Sequence, residues 1–377
     1  MIKVAIDLTW VRHAIVGGTE SYVTNLLDGF GSIHAEGIRF FLLVTRDNQE
    51  VFSRFSAYEN MELLCCPVES ASRLRRVLWQ NFCMGRMLKR HGIRICVEPV
   101  YLKPFLISRK IRFITTVHDL QAAHYPEYFS KLRVLWMKFS WWHAISTSEK
   151  IIVTSEYVKQ DILSRYAVSP DKLCINYDPV TVDKNDIAPM ERLKDFGAEA
   201  GQYYYIVASL LPHKNIDTLV RMLGRLKKTN SPALAPLIVS GVGGKHKETL
   251  LAMAREQGVE DIVSLTPFIS VAERNLLYQN CKAYLFPSLF EGFGMTPIEA
   301  MILGAPVLAT KETCTYETTG GIAVYVDEAR NEEQWCAALE KGVSAPAYSD
   351  VQALVAHYTK EAVASRFIPL IKELAQV

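Results

Sequence analysis

The 377-residue chain has no C-x-x-C pair and no cysteine spacing that would hold zinc. Its eight cysteines are scattered, apart from the adjacent Cys65 and Cys66. This argues against a disulfide-stapled or zinc-built fold, and reduced thiols are expected. No apolar run is long enough to cross a bilayer. The stretch Met1-Ile2-Lys3-Val4-Ala5-Ile6-Asp7 reads as a strand and has no signal-peptide anatomy. The expectation is therefore a cytoplasmic protein, with any membrane contact peripheral, on the inner face. An excess of one charge is also missing. The net charge of +2 says little by itself, and no nucleic-acid partner is expected. Apolar content of 49% against 22% charged excludes a disordered chain.

What is present is alternation. Lys3 to Asp7 reads as a buried strand, followed by the turn Gly17-Gly18-Thr19-Glu20 and a helical pattern at Tyr22, Val23, Leu26, Leu27 and Phe30. Strand, glycine turn and helix form the opening unit of a doubly wound α/β domain. Further strands are predicted at 39–44, 61–66, 111–117, 150–154 and 173–177. Ser155 leads into a helix over 156–165. Residues 178–189 are less hydrophobic and read as an interdomain linker. A second series then starts at Tyr203, with strands at 203–208, 236–241 and 262–265, and a glycine cluster at Val242-Gly243-Gly244. Helices are expected at 246–257 and 271–280, later strands at 306–309 and 323–326, and closing helical segments from Glu333 onward. The fold class is α/β, with two Rossmann-like domains. The expected division is 1–180, 190–355 and a C-terminal helix at 356–377 that packs back on the first domain.

Residues 73–112 carry eleven Lys or Arg against one acid, Glu98. Leu74, Val77, Leu78, Phe82, Met84 and Leu88 are interleaved with the first of these charges, which predicts an amphipathic helix with a basic face. Farther on, 132–142 holds Trp136, Trp141 and Trp142, three of the six tryptophans. Basic residues beside Trp and Phe suit contact with an anionic membrane surface. A solvated face beside an aromatic core is the alternative.

The stretch Pro287 to Met301 reads as a strand end, a glycine turn and a helix start. Thr296 fits an N-cap, Pro297 the first helical position, and Glu299 the return arm of a capping box. A helix N-terminus after a glycine turn suits a phosphate. Glu291 and Glu299 bracket that site and can accept hydrogen bonds from hydroxyls. Phosphate and hydroxyls together suggest a nucleotide sugar. The plainer alternative leaves Glu299 as a capping partner and Glu291 as a solvated turn residue.

The run Pro-Ser-Leu-Phe-Glu-Gly-Phe-Gly-Met-Thr-Pro-Ile-Glu-Ala-Met, continued by Gly304-Ala305-Pro306-Val307, resembles the signature of retaining glycosyltransferases of family 4. Pro212-His213-Lys214-Asn215 is similar to that family's Lys-Asn segment. The early Gly-Gly loop, His118-Asp119 and Ser155 match in order. The resemblance covers nearly the whole chain and is specific in the C-terminal half. It implies a GT-B fold: two facing Rossmann-like domains with parallel sheets and an interdomain cleft. It also implies an acceptor-binding first domain and a nucleotide-sugar-binding second one.

By the same resemblance, Lys214, Glu291 and His118 are the catalytic group. Lys214 would neutralise the leaving diphosphate, beside Asn215. Glu291 and the backbone of Gly292, Phe293 and Gly294 would hold the sugar. Met295 and Thr296 N–H groups would face the phosphates, and Glu299 the ribose. His118 would touch the sugar from the opposite domain as a hinge closes, and Gly17 and Gly18 would let the first loop reach the diphosphate. One departure stands out. Relatives carry an Arg a few residues before the Lys, and here the segment is Ala208-Ser209-Leu210-Leu211; His213 and Lys245 are the nearby substitutes.

No Asp-x-Asp motif occurs, so no metal and no other cofactor is expected. The expected reaction moves a sugar to an acceptor hydroxyl with retention. The acceptor is a saccharide or lipid-linked saccharide in surface polysaccharide assembly. A nucleotide-sugar epimerase and a non-catalytic nucleotide-sugar-binding protein are the rival readings.

Overall fold

Short runs of β-branched and aromatic residues, each closed by a turn, form two parallel sheets. The computed structural model of the protein describes residues 1–12, 18–33, 35–242 and 247–376. They divide into one unit of Met1–Pro179 with His357–Val377 and a second of Val180–Ala356.

The first unit contains β1 (Ile2–Asp7), β2 (Ile38–Thr45), β3 (Met61–Cys66), β4 (Ile95–Glu98), β5 (Arg112–Val117), β6 (Lys150–Val153) and β7 (Leu173–Ile175). Their order is β3-β2-β1-β4-β5-β6-β7, and all pairs are parallel. Both faces are covered, which is why the strands are apolar throughout rather than alternating. Val4 and Ile6 enter the core on one face, and Ala5 the core on the other. Helix Gly18–Ser32 and the final helix Lys360–Gln376 close the first of these cores with Leu26, Phe30, Phe367 and Ile371. They meet at Gly29, where an added Cβ would lie 2.2 Å from the Lys360 carbonyl oxygen. Only glycine allows that approach.

The second unit contains β8 (Tyr204–Val207), β9 (Leu237–Ser240), β10 (Val263–Leu265), β11 (Ala283–Phe286), β12 (Val307–Thr310) and β13 (Val324–Val326). The order is β10-β9-β8-β11-β12-β13, again parallel. Ile206, Val239 and Leu285 pack on one face, and Tyr205, Ile238 and Tyr284 on the other. The chain order reverses between β1 and β4 in the first sheet and between β8 and β11 in the second. At such reversals the loops leaving the carboxyl ends part and open a crevice for ligands.

Three expectations need correction. Strand β4 was not foreseen: four residues buried on both faces show no periodicity, and they lie inside the basic segment. Its last residue, Glu98, is fully buried, so it balances none of the surface charge. Burial pushes its carboxyl well up, and neighbouring Asp7 adds to the rise. The predicted amphipathic helix is present as one continuous helical run from Arg73 to Arg90 with a π turn at Gln80–Met84, but its apolar row does not point where the spacing suggests. Trp79, Met84 and Leu88 face inward, while Leu74, Leu78 and Phe82 are exposed. The third correction is the capping box, described below.

Candidate active site

The second unit's sheet reversal brings together the loop after β8 and the loop after β11. The first forms a single 3₁₀ turn, Pro212–Lys214, and Asn215 then turns left-handed at φ 56° to start helix Ile216–Lys228. Asn is among the residues that adopt this conformation most readily. Its side chain fastens this loop to the loop after β11 and to the segment after β13: Nδ2 donates to Pro287 O (3.1 Å) and Ala329 O (2.8 Å), and Oδ1 accepts from Thr218 Oγ1 (2.7 Å). Both amide hydrogens are thereby used, so Asn215 builds the site through its framework. His213 O accepts from Leu289 N at 2.7 Å, adding a second tie.

Lys214 and Glu291 meet across this junction, with Nζ donating to Oε1 at 2.7 Å. Their side chains are 23% and 14% exposed. Glu291 is pinned through its backbone: its N–H donates to Thr313 Oγ1 (3.2 Å), and its carbonyl accepts from Cys314 Sγ (3.3 Å). Thr313 is β-branched yet sits at φ 54°, a strained conformation at a site-forming turn. His213 lies buried behind the pair. Burial, and then the Lys214 charge, pull its imidazole down to about 4, so it is neutral near pH 7. It therefore cannot replace the missing Arg as a cation. Lys245, the other substitute, and Gly243 and Gly244 lie outside the described residues, as does Gly17.

Beyond Glu291 the turn Gly292-Phe293-Gly294 leads into helix Met295–Ile302. Gly294, at φ 79°, is the N-cap, and no side chain caps the helix. The predicted box is absent because its members are engaged elsewhere. The Thr296 side chain bonds the Tyr284 hydroxyl. Glu299 Oε2 accepts from Tyr278 Oη at 3.2 Å and lies 3.6 Å from Arg274 Nη1. Pro297 is the third helical residue rather than the first. Space for a side chain exists at Gly294, where an added Cβ would meet the Phe286 ring at an ordinary 3.4 Å, but the φ of 79° is one that L side chains rarely adopt. The helix N-terminus, with the N–H groups of Met295 and Thr296, follows closely on Glu291 in the chain and carries no side-chain cap hydrogen bond among the described residues.

Arg274 was not anticipated from sequence. Position 274 follows the capping box of Ser270 and Glu273 and looks like ordinary helix surface. Only the fold sets it against Glu299.

In the first unit, Gly18 opens helix Gly18–Ser32. His118 stands just past the end of β5, with both ring nitrogens engaged. Nε2 lies 2.9 Å from Pro99 O, and a carbonyl can only accept, so Nε2 carries a hydrogen. Nδ1 faces Asp178 Oδ1 at 3.5 Å, an ion-pair separation. Burial, the largest single influence, lowers the pKa of the imidazole, but Asp178, the Pro99 carbonyl and Asp119 together outweigh it, and the net shift is upward. Tyr22 packs edge-on against the ring.

Two family models match in tandem, Glycosyltransferase Family 4 over residues 16–184 and Glycosyl transferases group 1 over residues 193–350. The chain is 27% identical to the O-antigen chain mannosyltransferase RfbU of Salmonella typhimurium, over 71% of each chain. It is 25% identical to O-antigen chain mannosyltransferase B of Escherichia coli, over 59% of each. Among solved structures, the sucrose-phosphate synthase of Thermosynechococcus elongatus superposes with a TM-score of 0.72, at 15% identity over 100% of both chains. The HepE protein of Anabaena, in complex with UDP and glucose, gives 0.70 at 14% identity, over 99% of this chain and 100% of that one. With two parallel-sheet α/β domains matched one after the other by these models, the chain belongs to the GT-B glycosyltransferases, joining a family 4 N-terminal half to a group 1 C-terminal half.

Proposed function

We propose that the protein transfers a hexose from a nucleoside-diphosphate sugar to an acceptor hydroxyl with retained anomeric configuration. The observation that carries this reading is the junction of Lys214, Glu291 and the uncapped helix N-terminus at one sheet reversal. A departing diphosphate needs positive charge already in place. Lys214 and the N–H groups of Met295 and Thr296 supply it. Glu291, with the backbone of Gly292, Phe293 and Gly294, receives the sugar hydroxyls, and Glu299 the ribose. His118 and Gly18, in the first unit, with Gly17, which lies outside the described residues, stay as donor-contact expectations of the family resemblance. Because Lys214 and the helix end meet the phosphate charge, no metal is assigned a role; turnover is expected to survive EDTA. The diphosphate oxygen takes the acceptor proton on the face from which it leaves.

The names of the two bacterial relatives point to O-antigen-type polysaccharide assembly; a lipid-linked saccharide is the acceptor proposed here. Such an acceptor lies at an anionic membrane surface, and the first unit has a face suited to one. Leu132, Leu135, Trp136, Phe139 and Trp142 point outward from helix Lys131–Thr147, with Leu132 81% exposed. Leu74, Leu78 and Phe82 form a second outward row. Arg73, Arg75, Arg86, Arg133 and Lys138 are exposed among them, and helix Lys131–Thr147 has no acid. Exposed apolar rows among cations fit a peripheral, interfacial site. Among the described residues no helix is long and apolar enough to cross a membrane.

The test is a thermal-shift screen with GDP, UDP, dTDP and ADP, followed by transfer from the matching sugar donor to a lipid-linked acceptor. Stabilisation by one nucleotide and acceptor-dependent release of that diphosphate are expected. Epimerisation of the donor without acceptor would contradict transfer. Binding without turnover would favour the non-catalytic reading that the absent Arg motivates.

A further inference from the structure

Glu299 sits on helix Met295–Ile302 and is 9% exposed, an environment hostile to a carboxylate. A carboxylate also has two oxygens with several acceptor directions, and it binds a ribose well only if held. Two side chains of the neighbouring helix Val271–Asn280 act on it, Tyr278 through a hydrogen bond and Arg274 through an ion pair. Both contacts are to Oε2. Among the described residues, no hydrogen bond or ion pair is made to Oε1. Arg274 is itself held: its guanidinium lies over the Tyr278 ring at 5.9 Å, its side chain is 26% exposed, and its Nε is buried without a hydrogen-bond partner among the described residues.

We propose that Arg274 is a positioning residue that grips Glu299 by Oε2 and thereby presents Oε1 to the ribose of the donor nucleotide. The inference rests on the ribose assignment of Glu299 made above. Nothing in the transfer chemistry requires an Arg here; its task follows from the burial of the carboxylate. Burial pushes the Glu299 carboxyl upward, and the Arg274 charge is the largest opposing influence, ahead of the Tyr278 hydrogen bond. Without Arg274 the carboxyl would take up a proton at a higher pH and turn from an acceptor pair into a donor. The other titratable groups on the packed elements are few. Tyr284 on β11 is raised by burial, with Glu299 and Glu291 adding to the rise. Tyr348 and Asp350, on helix Tyr348–Val355, are exposed, and Glu273, on the helix of Arg274, is paired with Arg192.

The sign of the effect follows. The carboxylate accepts ribose hydroxyls only when ionised, so nucleotide affinity falls as pH falls through the Glu299 pKa. The opposite charge of Arg274 holds that pKa down. Removing it should move the acid midpoint of binding to higher pH. The diphosphate's own proton, lost near pH ~6, affects all variants alike.

The experiment is calorimetric titration of the intact protein with GDP, UDP and ADP and with their 2′-deoxy forms, from about pH 5 to pH 8. The wild type, Arg274→Leu, Arg274→Gln, Arg274→Lys and Glu299→Gln are compared. The midpoint should rise in Arg274→Leu and Arg274→Gln, return toward wild type in Arg274→Lys, and disappear in Glu299→Gln. Preference for ribose over 2′-deoxyribose, about tenfold in wild type, should collapse in Glu299→Gln. If Arg274→Leu or Arg274→Gln weakens binding equally at every pH, Arg274 only packs and the inference is overturned. If Glu299→Gln binds like wild type and the 2′-hydroxyl makes no difference, the ribose assignment itself fails, and the inference with it. Should Arg274→Leu not fold, Arg274→Gln against Arg274→Lys decides the same question.

Discussion

Lys214 Nζ and Glu291 Oε1 are 2.7 Å apart, so the cation proposed for the diphosphate and the carboxylate proposed for the sugar neutralise each other. The contact ties the two loops together within a partly buried junction. Lys214→Ala leaves Glu291 without its cation, and Glu291→Gln leaves Lys214 without its anion. The double variant should be more stable than the two single changes sum to, with a coupling of about 1 kcal/mol because both groups are partly exposed. Urea unfolding of the four proteins measures it, and strict additivity would show that the pair contributes nothing to stability.

The His118–Asp178 pair should make stability depend on pH. The His118 pKa in the folded protein lies above its ordinary value of 6.5, so the pair stabilises fully below that value. The contribution is lost as pH rises through the raised folded value. Asp178→Asn should therefore lower Tm most near pH ~5.5 and least near pH ~8. NMR titration of the imidazole should also show the pKa falling in the variant. An unchanged His118 pKa would show that the 3.5 Å contact carries no charge interaction.

Gly29 fixes how closely helix Gly18–Ser32 and helix Lys360–Gln376 approach. Gly29→Ala sets a methyl 2.2 Å from the Lys360 carbonyl oxygen, and one helix must move. A loss of about 1–3 kcal/mol is expected, read as a drop of several degrees in Tm. A Tm at or above that of the wild type would mean that the two helices are not in tight register there.

The outward aromatic row should matter for lipid and not for folding. Replacing Trp136, Phe139 and Trp142 by Ala removes side chains that are 42–52% exposed, so Tm should change little. Flotation with vesicles containing anionic lipid should fall sharply. Residual binding should weaken with added salt, because exposed cations are screened over about 10 Å at 0.1 M. Equal flotation of wild type and variant would remove this face from membrane contact.

The α/β alternation was legible because both sheets are buried on both faces, which leaves uninterrupted apolar runs between turns. The stretch Pro287 to Met301 was legible as strand end, turn and helix. Its capping was not. Thr296 and Glu299 stand at the spacing of a box, but Tyr284, Tyr278 and Arg274 engage them from elements distant in sequence. No local pattern contains those contacts. The same holds for β4, four residues long, and for Leu74, Leu78 and Phe82, whose spacing suits an inward stripe but which face outward. Periodicity shows that a helix has an apolar row, and only the packing of its neighbours shows where that row points.

The most direct test of the central claim is turnover by Lys214→Ala with the nucleotide sugar that the thermal screen selects. A leaving diphosphate deprived of its preset cation should cost about 3–4 kcal/mol of barrier. The rate of acceptor-dependent diphosphate release should then fall a hundredfold or more, with Tm within a few degrees of wild type. Turnover equal to wild type in a folded Lys214→Ala protein would contradict the account.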